Sequence, residues 1–326
     1  MPFVNRRRFL AGSTGLALAP WLPAFAAYAE NVPRSAFGAT STAEEVTAGI
    51  DLSGKTALVT GCNSGIGYET MRVLALRGAH VLGTARTAEK GRDACDSVEG
   101  RCTPLVLELT DFDSIVACAD QVQAMGTPLD MLICNAGILF REHRQVGDLE
   151  MHFVVNHLGH FLLVHRLLDR VIAAPQGRVV VVGSKSHRNV PDDGIRFDDL
   201  SGKSWTVPAY SHSKLANGLF SLELARRLEG TNATSNCLHP GSVETNIFRT
   251  ATRSSNPNRV LKDLAEGAAT TCYVATSPAL AGVSGYYFVD CNPLEPSATM
   301  QDAAMAKKLW AVSEDLVRDC LGKKSV

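Results

Sequence analysis

The sequence places a tyrosine and a lysine four residues apart, at Tyr210 and Lys214. Pro208 stands just before them, and an apolar stripe follows, formed by Leu215, Leu219, Leu222 and Leu224. This pattern predicts a helix that begins near the proline. Because residues four apart share one helix face, the lysine ammonium is expected beside the tyrosine phenol.

A cation beside a phenol can make the phenol a usable acid or base at neutral pH. Lowering a phenol pKa from about 10 to about 7.5 requires roughly 3.4 kcal/mol of preference for the phenolate. A cation about 4 to 5 Å away supplies roughly 3 to 4 kcal/mol at an effective dielectric constant near 20. Taken alone, however, this spacing more often belongs to an exposed aromatic residue and a solvated lysine.

A glycine-rich turn earlier in the chain supports the catalytic interpretation. The apolar run 55–60 predicts a buried strand, and Gly61, Gly65 and Gly67 separate it from a helix predicted to end near Arg77. Backbone N–H groups and the helix dipole face an anion at such a turn. The turn therefore predicts a pyrophosphate site for a dinucleotide.

Six motifs follow one another along the chain: the segment 60–67, Asn135-Ala136-Gly137, Asn156, Ser184, the Tyr210 and Lys214 pair, and Pro240-Gly241. Together they resemble the short-chain dehydrogenase/reductase family over about residues 40 to 320. Segments 156–161, 211–217 and 287–291 are similar to the retinol dehydrogenase and WW-domain oxidoreductase branch. The resemblance implies hydride transfer between a nicotinamide cofactor and a carbon that bears an alcohol or carbonyl oxygen.

The resemblance also implies four catalytic residues. Tyr210 exchanges a proton with the substrate oxygen, and Lys214 lowers the phenol pKa and holds the ribose hydroxyls. Ser184 donates a hydrogen bond to the same oxygen, with Ser186 as a second candidate. Asn156 anchors a water that links the lysine to solvent.

Apolar strands alternate with amphipathic helices from residue 51 onward. Seven strands are predicted, near residues 56–60, 79–84, 104–109, 129–134, 178–183, 234–238 and 285–289. This alternation predicts an α/β fold of the Rossmann type, a doubly wound sheet of seven parallel strands in one domain at residues 51–326. The ligand is then expected at the carboxyl ends of the strands.

The residue after the second strand indicates which dinucleotide binds. Arg86 stands where an acidic residue would hold the ribose 2'-hydroxyl of NAD, and no acidic residue follows the strand before Glu89. An arginine accommodates a 2'-phosphate, so NADP(H) is the predicted cofactor, with Ser64 as a helper.

The family resemblance completes the predicted cofactor set. Glu108 and Leu109 lie toward the adenine, where the family usually has Asp, and Thr245 and the backbone near Val243 lie toward the nicotinamide. The whole predicted set is Gly61, Asn63, Ser64, Gly65, Ile66, Gly67, Arg86, Glu108, Leu109, Asn135, Ala136, Gly137, Tyr210, Lys214, Pro240, Gly241, Val243 and Thr245.

The N-terminus has the features of an export signal. Three arginines, Arg6 to Arg8, precede an uncharged stretch that reaches Ala29, which resembles a twin-arginine signal at residues 1–29. There are two alternatives. The segment is an uncleaved membrane anchor, or it is an unused tail and the protein stays in the cytoplasm. Because the twin-arginine machinery carries folded proteins, it suits an enzyme that takes up its nucleotide before reaching the periplasm. Residues 30–50 form a polar lead-in in which Ser41 and Glu44 predict a capping box.

Composition excludes some classes of function and leaves others open. The 326 residues carry a formal net charge of -1, which gives no electrostatic footprint for nucleic acid. The nine cysteines are expected to be buried reduced thiols, and no metal site is expected from them or from the nine histidines. The C-terminal 30 residues predict an amphipathic helix that packs over the substrate side or forms a subunit contact in a homo-oligomer.

The substrate is predicted to be a small lipophilic alcohol, aldehyde or ketone. Leu139 and Phe140 follow the Asn135 motif, and Ile247 and Phe248 follow Pro240-Gly241, which suggests an apolar pocket. Two alternatives share the fold, namely a catalytically silent dinucleotide-binding regulator and a nucleotide-sugar epimerase or dehydratase. The presence of both the tyrosine and the lysine disfavours the first, and the glycine spacing disfavours the second.

Overall fold

A computed structural model describes residues 32–243, 245 and 261–322. The predicted export signal and the predicted pocket residues Ile247 and Phe248 lie outside these ranges. Among the described residues, no helix is both long and apolar enough to span a membrane.

One large sheet forms the centre of the described chain. Its strands are β1 (Thr56–Val59), β2 (His80–Ala85), β3 (Cys102–Val106), β4 (Met131–Cys134), β7 (Arg178–Val182), β8 (Thr234–His239), β9 (Tyr287–Val289) and β10 (Asn292–Pro293). Their spatial order is β10-β9-β8-β7-β4-β1-β2-β3. Strands β2 and β3 are added to one side of β1 and the later strands of the sheet to the other side, so the strand order reverses between β1 and β4. A cofactor is expected at that switch point.

The Rossmann-type fold predicted from the sequence is confirmed, with one strand more than expected. Seven of the strands pair in parallel and correspond to the seven predicted ones. The eighth, β10, adds an antiparallel edge in which Asn292 pairs with Val289. Two residues are too few to produce an alternating apolar pattern, which is why the sequence does not predict this strand.

The third strand begins and ends earlier than predicted. It covers Cys102–Val106 instead of residues 104–109, and Pro104 fits within it because β3 is the edge strand of the sheet. The apolar pattern continues through Leu107 and Leu109, and these residues are buried in the loop that follows. Because these buried residues continue the apolar pattern of the strand, the sequence predicts a strand that ends later than β3 does.

Eight α-helices of the described chain flank the sheet. They are α1 (Ala43–Val46), α2 (Gly65–Leu76), α3 (Ala88–Asp96), α4 (Phe112–Ala124), α5 (Gly159–Ile172), α6 (Ala209–Arg227), α7 (Leu264–Thr276) and α8 (Ala303–Leu316). A π-helical turn, Phe153–Leu158, leads into α5. A short hairpin of β5 (Gln145–Val146) and β6 (Leu149–Glu150) stands apart from the large sheet.

Two local predictions are only partly right. The capping box of α1 is formed by Thr42 and Glu45, one residue later than the predicted pair. The C-terminal helix α8 packs on α5 and α6 inside the chain, where the Trp310 ring lies 4.9 Å from the Phe161 ring of α5 and 5.8 Å from the Phe220 ring of α6. A homo-oligomer through this region stays a prediction.

The expectation that all cysteines are reduced thiols is wrong for one pair. Cys95 and Cys102 form a disulfide, with Cα atoms 5.2 Å apart. Cys95 lies in the last turn of α3 and Cys102 begins β3, so the tight connection at residues 97–101 brings the thiols together. Six of the remaining cysteines are buried, and Cys320 is half-buried.

Candidate active site

The glycine turn between β1 and α2 packs so closely that two of its positions exclude side chains. Gly61 has a φ of +72°, and a Cβ there would lie 3.0 Å from the Ala136 Cβ. A Cβ on Gly67 would overlap the Gly61 carbonyl and the Asn135 amide. Ser64 precedes α2 without a side-chain bond to its first N–H groups, which leaves them able to bind an anion. The turn therefore fits the pyrophosphate of a dinucleotide.

Thr60, at the end of β1, joins the glycine turn to the neighbouring strand end. Its Oγ1 accepts hydrogen bonds of 2.9 Å from the Asn135 and Ala136 N–H groups and lies 2.8 Å from His160 Nε2. His160 Nδ1 lies 3.1 Å from the Asn156 carbonyl, so Nδ1 carries the proton and Nε2 accepts from Thr60. Burial lowers the pKa of His160 to about 4, which keeps the ring neutral.

Asn156 lies on the π-helical turn and ties three segments of the site together. Its Oδ1 accepts from the Ile138 N–H at 2.8 Å, and its Nδ2 donates to the Ile138 carbonyl at 3.2 Å and to Ser213 Oγ at 2.9 Å. A Cβ on Gly137 would lie 3.2 Å from Asn156 Oδ1 and 3.6 Å from Lys214 Nζ. Asn156, Gly137 and Lys214 are thus immediate neighbours. The predicted water-anchoring role of Asn156 stays a prediction.

The predicted catalytic pair lies where α6 meets the carboxyl end of β7. Lys214 Nζ donates a 2.9 Å hydrogen bond to the Val182 carbonyl and lies 5.6 Å from the centre of the Tyr210 ring. Asn217 Nδ2 donates to the same carbonyl at 3.2 Å. Burial of Lys214 lowers its pKa to about 8. The helix and the strand end are therefore joined at the lysine.

Ser184 follows β7 and reaches the tyrosine. Burial raises the pKa of Tyr210, and a hydrogen bond from the Ser184 side chain acts in the opposite direction. Ser184 Oγ also lies 3.1 Å from Ser186 Oγ, so both candidate serines are at the site. The sequence predicts that the lysine lowers the phenol pKa, but burial is the larger influence here and raises it. Tyr210 is therefore protonated at neutral pH.

The residues predicted to lie toward the adenine differ in exposure and in hydrogen bonding. Arg86 is exposed directly after β2, and the Cys62 N–H donates to the Thr84 carbonyl at 2.9 Å, so the arginine emerges beside the glycine turn. Glu108 Oε1 instead accepts hydrogen bonds of 3.1 and 2.9 Å from the backbone and hydroxyl of Thr110. Its carboxylate stabilises its own turn, and Leu109 is buried next to it.

The segment after β8 closes the predicted nicotinamide side. Gly241 has a φ of +97°, and the side chain of Lys262 lies where a Cβ would stand. Val243 is buried and forms a bridge with Lys262. Thr245 lies over the start of α2, 3.5 Å from the position of a Cβ on Gly65. Pro240 is buried, Asn63 is exposed and Ile66 is half-buried in the same region.

The structure thus brings together the four predicted catalytic residues and shows others that the sequence analysis does not assign to the site. Thr60 and His160 connect the cofactor turn to Asn156, and Ser213 connects Asn156 to the Tyr210 carbonyl at 2.8 Å. His160 lies in the first turn of α5, directly after the π-helical turn that carries Asn156. Its link to Thr60 joins residues 100 apart, so no local pattern reveals it.

Comparison with known proteins identifies the family. A family model described as short chain dehydrogenase matches residues 55–256. The chain belongs to the short-chain dehydrogenase family. The matched span contains the glycine turn, the four predicted catalytic residues and the segment after β8.

Similar curated proteins match the short-chain dehydrogenase along most of their length. This chain is 40% identical over 304 residues to the chloroplastic short-chain dehydrogenase TIC 32 B of Brassica napus. The match covers 87% of this chain and 95% of the Brassica protein. The chain is 38% identical over 310 residues to the WW domain-containing oxidoreductase of Gallus gallus, covering 90% and 75% respectively. It is 39% identical over 292 residues to retinol dehydrogenase 14 of Mus musculus, covering 82% and 86%.

Solved structures share the fold of this short-chain dehydrogenase. A Mycobacterium paratuberculosis protein superposes with a TM-score of 0.69 at 32% identity, covering 84% of this chain and 97% of that one. A protein described as an NAD(P)-dependent gluconate 5-dehydrogenase from Beutenbergia cavernae, with bound NADP, has a TM-score of 0.58 at 25% identity, covering 73% and 95%.

Proposed function

We propose that this short-chain dehydrogenase is an NADP(H)-dependent oxidoreductase that interconverts a lipophilic alcohol and its aldehyde or ketone. The meeting of Tyr210, Ser184 and Lys214 at the carboxyl end of β7, beside the glycine turn, carries the proposal. A bound nicotinamide cofactor would supply or accept the hydride. The glycine turn and the α2 N-terminus would hold its pyrophosphate.

The side chains of the site handle the proton and the substrate oxygen. In the reductive direction, the carbonyl carbon gains a hydride while the Tyr210 hydroxyl gives its proton to the carbonyl oxygen. Ser184 donates a hydrogen bond to that oxygen and stabilises the negative charge as it develops. A phenol whose pKa is raised by burial starts in the protonated form, which suits reduction.

NADP(H) is favoured over NAD(H) by the exposed guanidinium of Arg86 beside the glycine turn. An arginine at this position accommodates a 2'-phosphate, whereas an acidic residue would repel it. The relative from Beutenbergia cavernae, which holds NADP, is consistent with this choice.

A lipophilic substrate is supported by the apolar segment after the Asn135 motif. The Phe140 ring lies 4.4 Å from the His152 ring, which in turn lies 6.3 Å from the Tyr210 ring. The Phe140 side chain therefore lies close to the proposed proton donor, with the His152 ring between them. The relatives named as retinol dehydrogenase agree with a hydrophobic substrate.

Export is the second part of the proposal. The arginine-rich start and the Cys95–Cys102 disulfide point in the same direction, because disulfides persist in oxidising compartments such as the periplasm. The twin-arginine machinery would then be a partner of the precursor. An exported enzyme would carry its nucleotide with it.

Loss of NADPH absorbance with a panel of hydrophobic aldehydes and ketones tests the catalytic proposal. We expect turnover with NADPH and at least tenfold lower kcat/KM with NADH. Binding of NADPH without turnover of any substrate would identify a silent regulator. Turnover of a nucleotide sugar, with none of the carbonyl compounds, would identify an epimerase or dehydratase.

A further inference from the structure

A buried carboxylate and imidazole lie beside the candidate active site and have no part in the proton transfer proposed above. Glu150, at the end of β6, is 0% exposed, and His152 is 2% exposed. Glu150 Oε1 lies 2.7 Å from His152 Nδ1, and Oε2 accepts a 2.9 Å hydrogen bond from the Phe153 N–H. Both carboxylate oxygens are therefore engaged as acceptors.

The hydrogen bonds fix the tautomer of His152. The backbone N–H of Phe140 donates to His152 Nε2 at 3.2 Å, so Nε2 must hold a lone pair. Nδ1 then carries the only ring proton and donates it to Glu150. The carboxylate thus selects the tautomer that can accept from Phe140.

These contacts connect a loop to the proposed proton donor. The Phe140 and His152 rings are 4.4 Å apart, and the His152 ring meets the Tyr210 ring edge-on at 6.3 Å and 78°. The loop, residues 138–144, is also held at Arg144, whose carbonyl accepts a hydrogen bond from the Met151 N–H. The His152 imidazole therefore links Phe140 to the Tyr210 ring, while the Arg144 guanidinium lies 4.6 Å from the centre of the Phe140 ring.

We infer that Glu150 and His152 are positioning residues that hold Phe140 as the apolar wall against which the hydrocarbon part of the substrate packs. This inference rests on the proposed function. A substrate with a large apolar group gains binding energy from that wall, whereas the proton transfer at Tyr210 does not use it. Releasing the wall should therefore weaken substrate binding more than it slows the chemical step.

Glu150→Gln tests the inference because it keeps the shape of the side chain. Wherever the new amide points, its NH₂ group faces either a proton on His152 Nδ1 or the Phe153 N–H. If His152 relieves the conflict by moving its proton to Nε2, it can no longer accept from Phe140. Glu229→Gln is the matched control, since Glu229 is exposed in the turn after α6.

We expect Glu150→Gln to raise KM for a hydrophobic carbonyl substrate at least tenfold, with kcat changed less than threefold and the NADPH dissociation constant unchanged. Hydrogen exchange of the Phe140 amide should become at least tenfold faster. In a Phe140→Ala background, Glu150→Gln should change KM less than twofold. Glu229→Gln should match the wild type in all four measurements.

A second pair of variants covers the case in which Glu150→Gln does not fold. His152→Gln keeps an acceptor within reach of the Phe140 amide and should retain most of the wild-type KM, whereas His152→Leu should raise it as Glu150→Gln does. An unchanged KM or amide exchange in Glu150→Gln and His152→Leu, or additive effects of these changes with Phe140→Ala, would overturn the inference. A wild-type protein without any carbonyl turnover would instead overturn the proposed function, and the two failures are therefore distinct.

Discussion

Lys214 Nζ lies 5.6 Å from the centre of the Tyr210 ring while it donates a 2.9 Å hydrogen bond to the Val182 carbonyl. The lysine therefore holds the start of α6 against the end of β7, where the proposed proton donor is needed. It is also 3% exposed, and burial lowers its pKa to about 8. Keeping this buried lysine charged is thus expected to lower the free energy of unfolding at neutral pH.

Lys214→Met should change how stability depends on pH. The lysine pKa is about 10.5 in the unfolded chain and about 8 in the folded one, so between these values the unfolded chain binds more protons. Wild-type stability should consequently rise from pH 8 to 10.5, by about 3 kcal/mol relative to Lys214→Met. Urea unfolding at pH 7.5, 9 and 10 measures this difference. Lys203→Met, at an exposed lysine, is the control. If the free energy of unfolding depends on pH in the same way for wild type and Lys214→Met, the lowered pKa of Lys214 is contradicted.

Arg86→Ala should reduce the preference for NADP(H). Removing the guanidinium takes away a charge-assisted contact to the 2'-phosphate, which is worth roughly 1.5 to 3 kcal/mol. The KM for NADPH should rise at least tenfold, and the KM for NADH should change less than twofold. Steady-state kinetics with both cofactors provide the measurement. Arg92→Ala, an exposed arginine on α3, should leave both values unchanged; an equal rise for both cofactors would refute the proposed contact.

The sequence predicts the parts of the site that depend on short spacings. The glycine turn depends on a strand and a helix that adjoin it, and the Tyr210 and Lys214 pair on one helix; the placement of both in these elements is confirmed. The contacts of Thr60 with His160 and of His152 with Phe140 depend on how distant or looped segments pack. Backbone acceptors such as the Val182 carbonyl carry no residue-type signal. Burial of Tyr210, which raises its pKa, likewise follows only from tertiary packing.

Cys95→Ser should lower the stability of the oxidised protein. The cysteines are seven positions apart, and closing so short a loop stabilises a protein by roughly 2 to 3 kcal/mol in the chain-entropy model. Without reductant, the wild type should have a higher urea midpoint of unfolding than Cys95→Ser. With dithiothreitol present, the two midpoints should converge. Cys320→Ser, a half-buried free thiol, serves as the control. Two free thiols at 95 and 102 in the native protein would contradict both the disulfide and its support for export.

The mature protein should begin near Ala27 or Glu30 if the arginine-rich start is an export signal. Signal peptidases cleave after small residues, and the stretch ends in Ala27-Tyr28-Ala29. Intact-mass and N-terminal peptide mass spectrometry of protein from its native host measure the cleavage. Replacing Arg6 and Arg7 with lysines should keep the precursor uncleaved. Met1 retained on a wild-type cytoplasmic protein would remove the export proposal.

Tyr210→Phe tests the central claim most directly, because it removes one hydroxyl and leaves the ring that packs near Lys214 and His152. The measurement is kcat for a hydrophobic aldehyde or ketone with NADPH, together with the NADPH dissociation constant. Tyr68→Phe, which removes a hydroxyl that bonds to Ser97 on the exposed surface, is the control. We predict at least a hundredfold loss of kcat with nearly unchanged NADPH binding for Tyr210→Phe; turnover within a few-fold of the wild type would contradict Tyr210 as the proton donor.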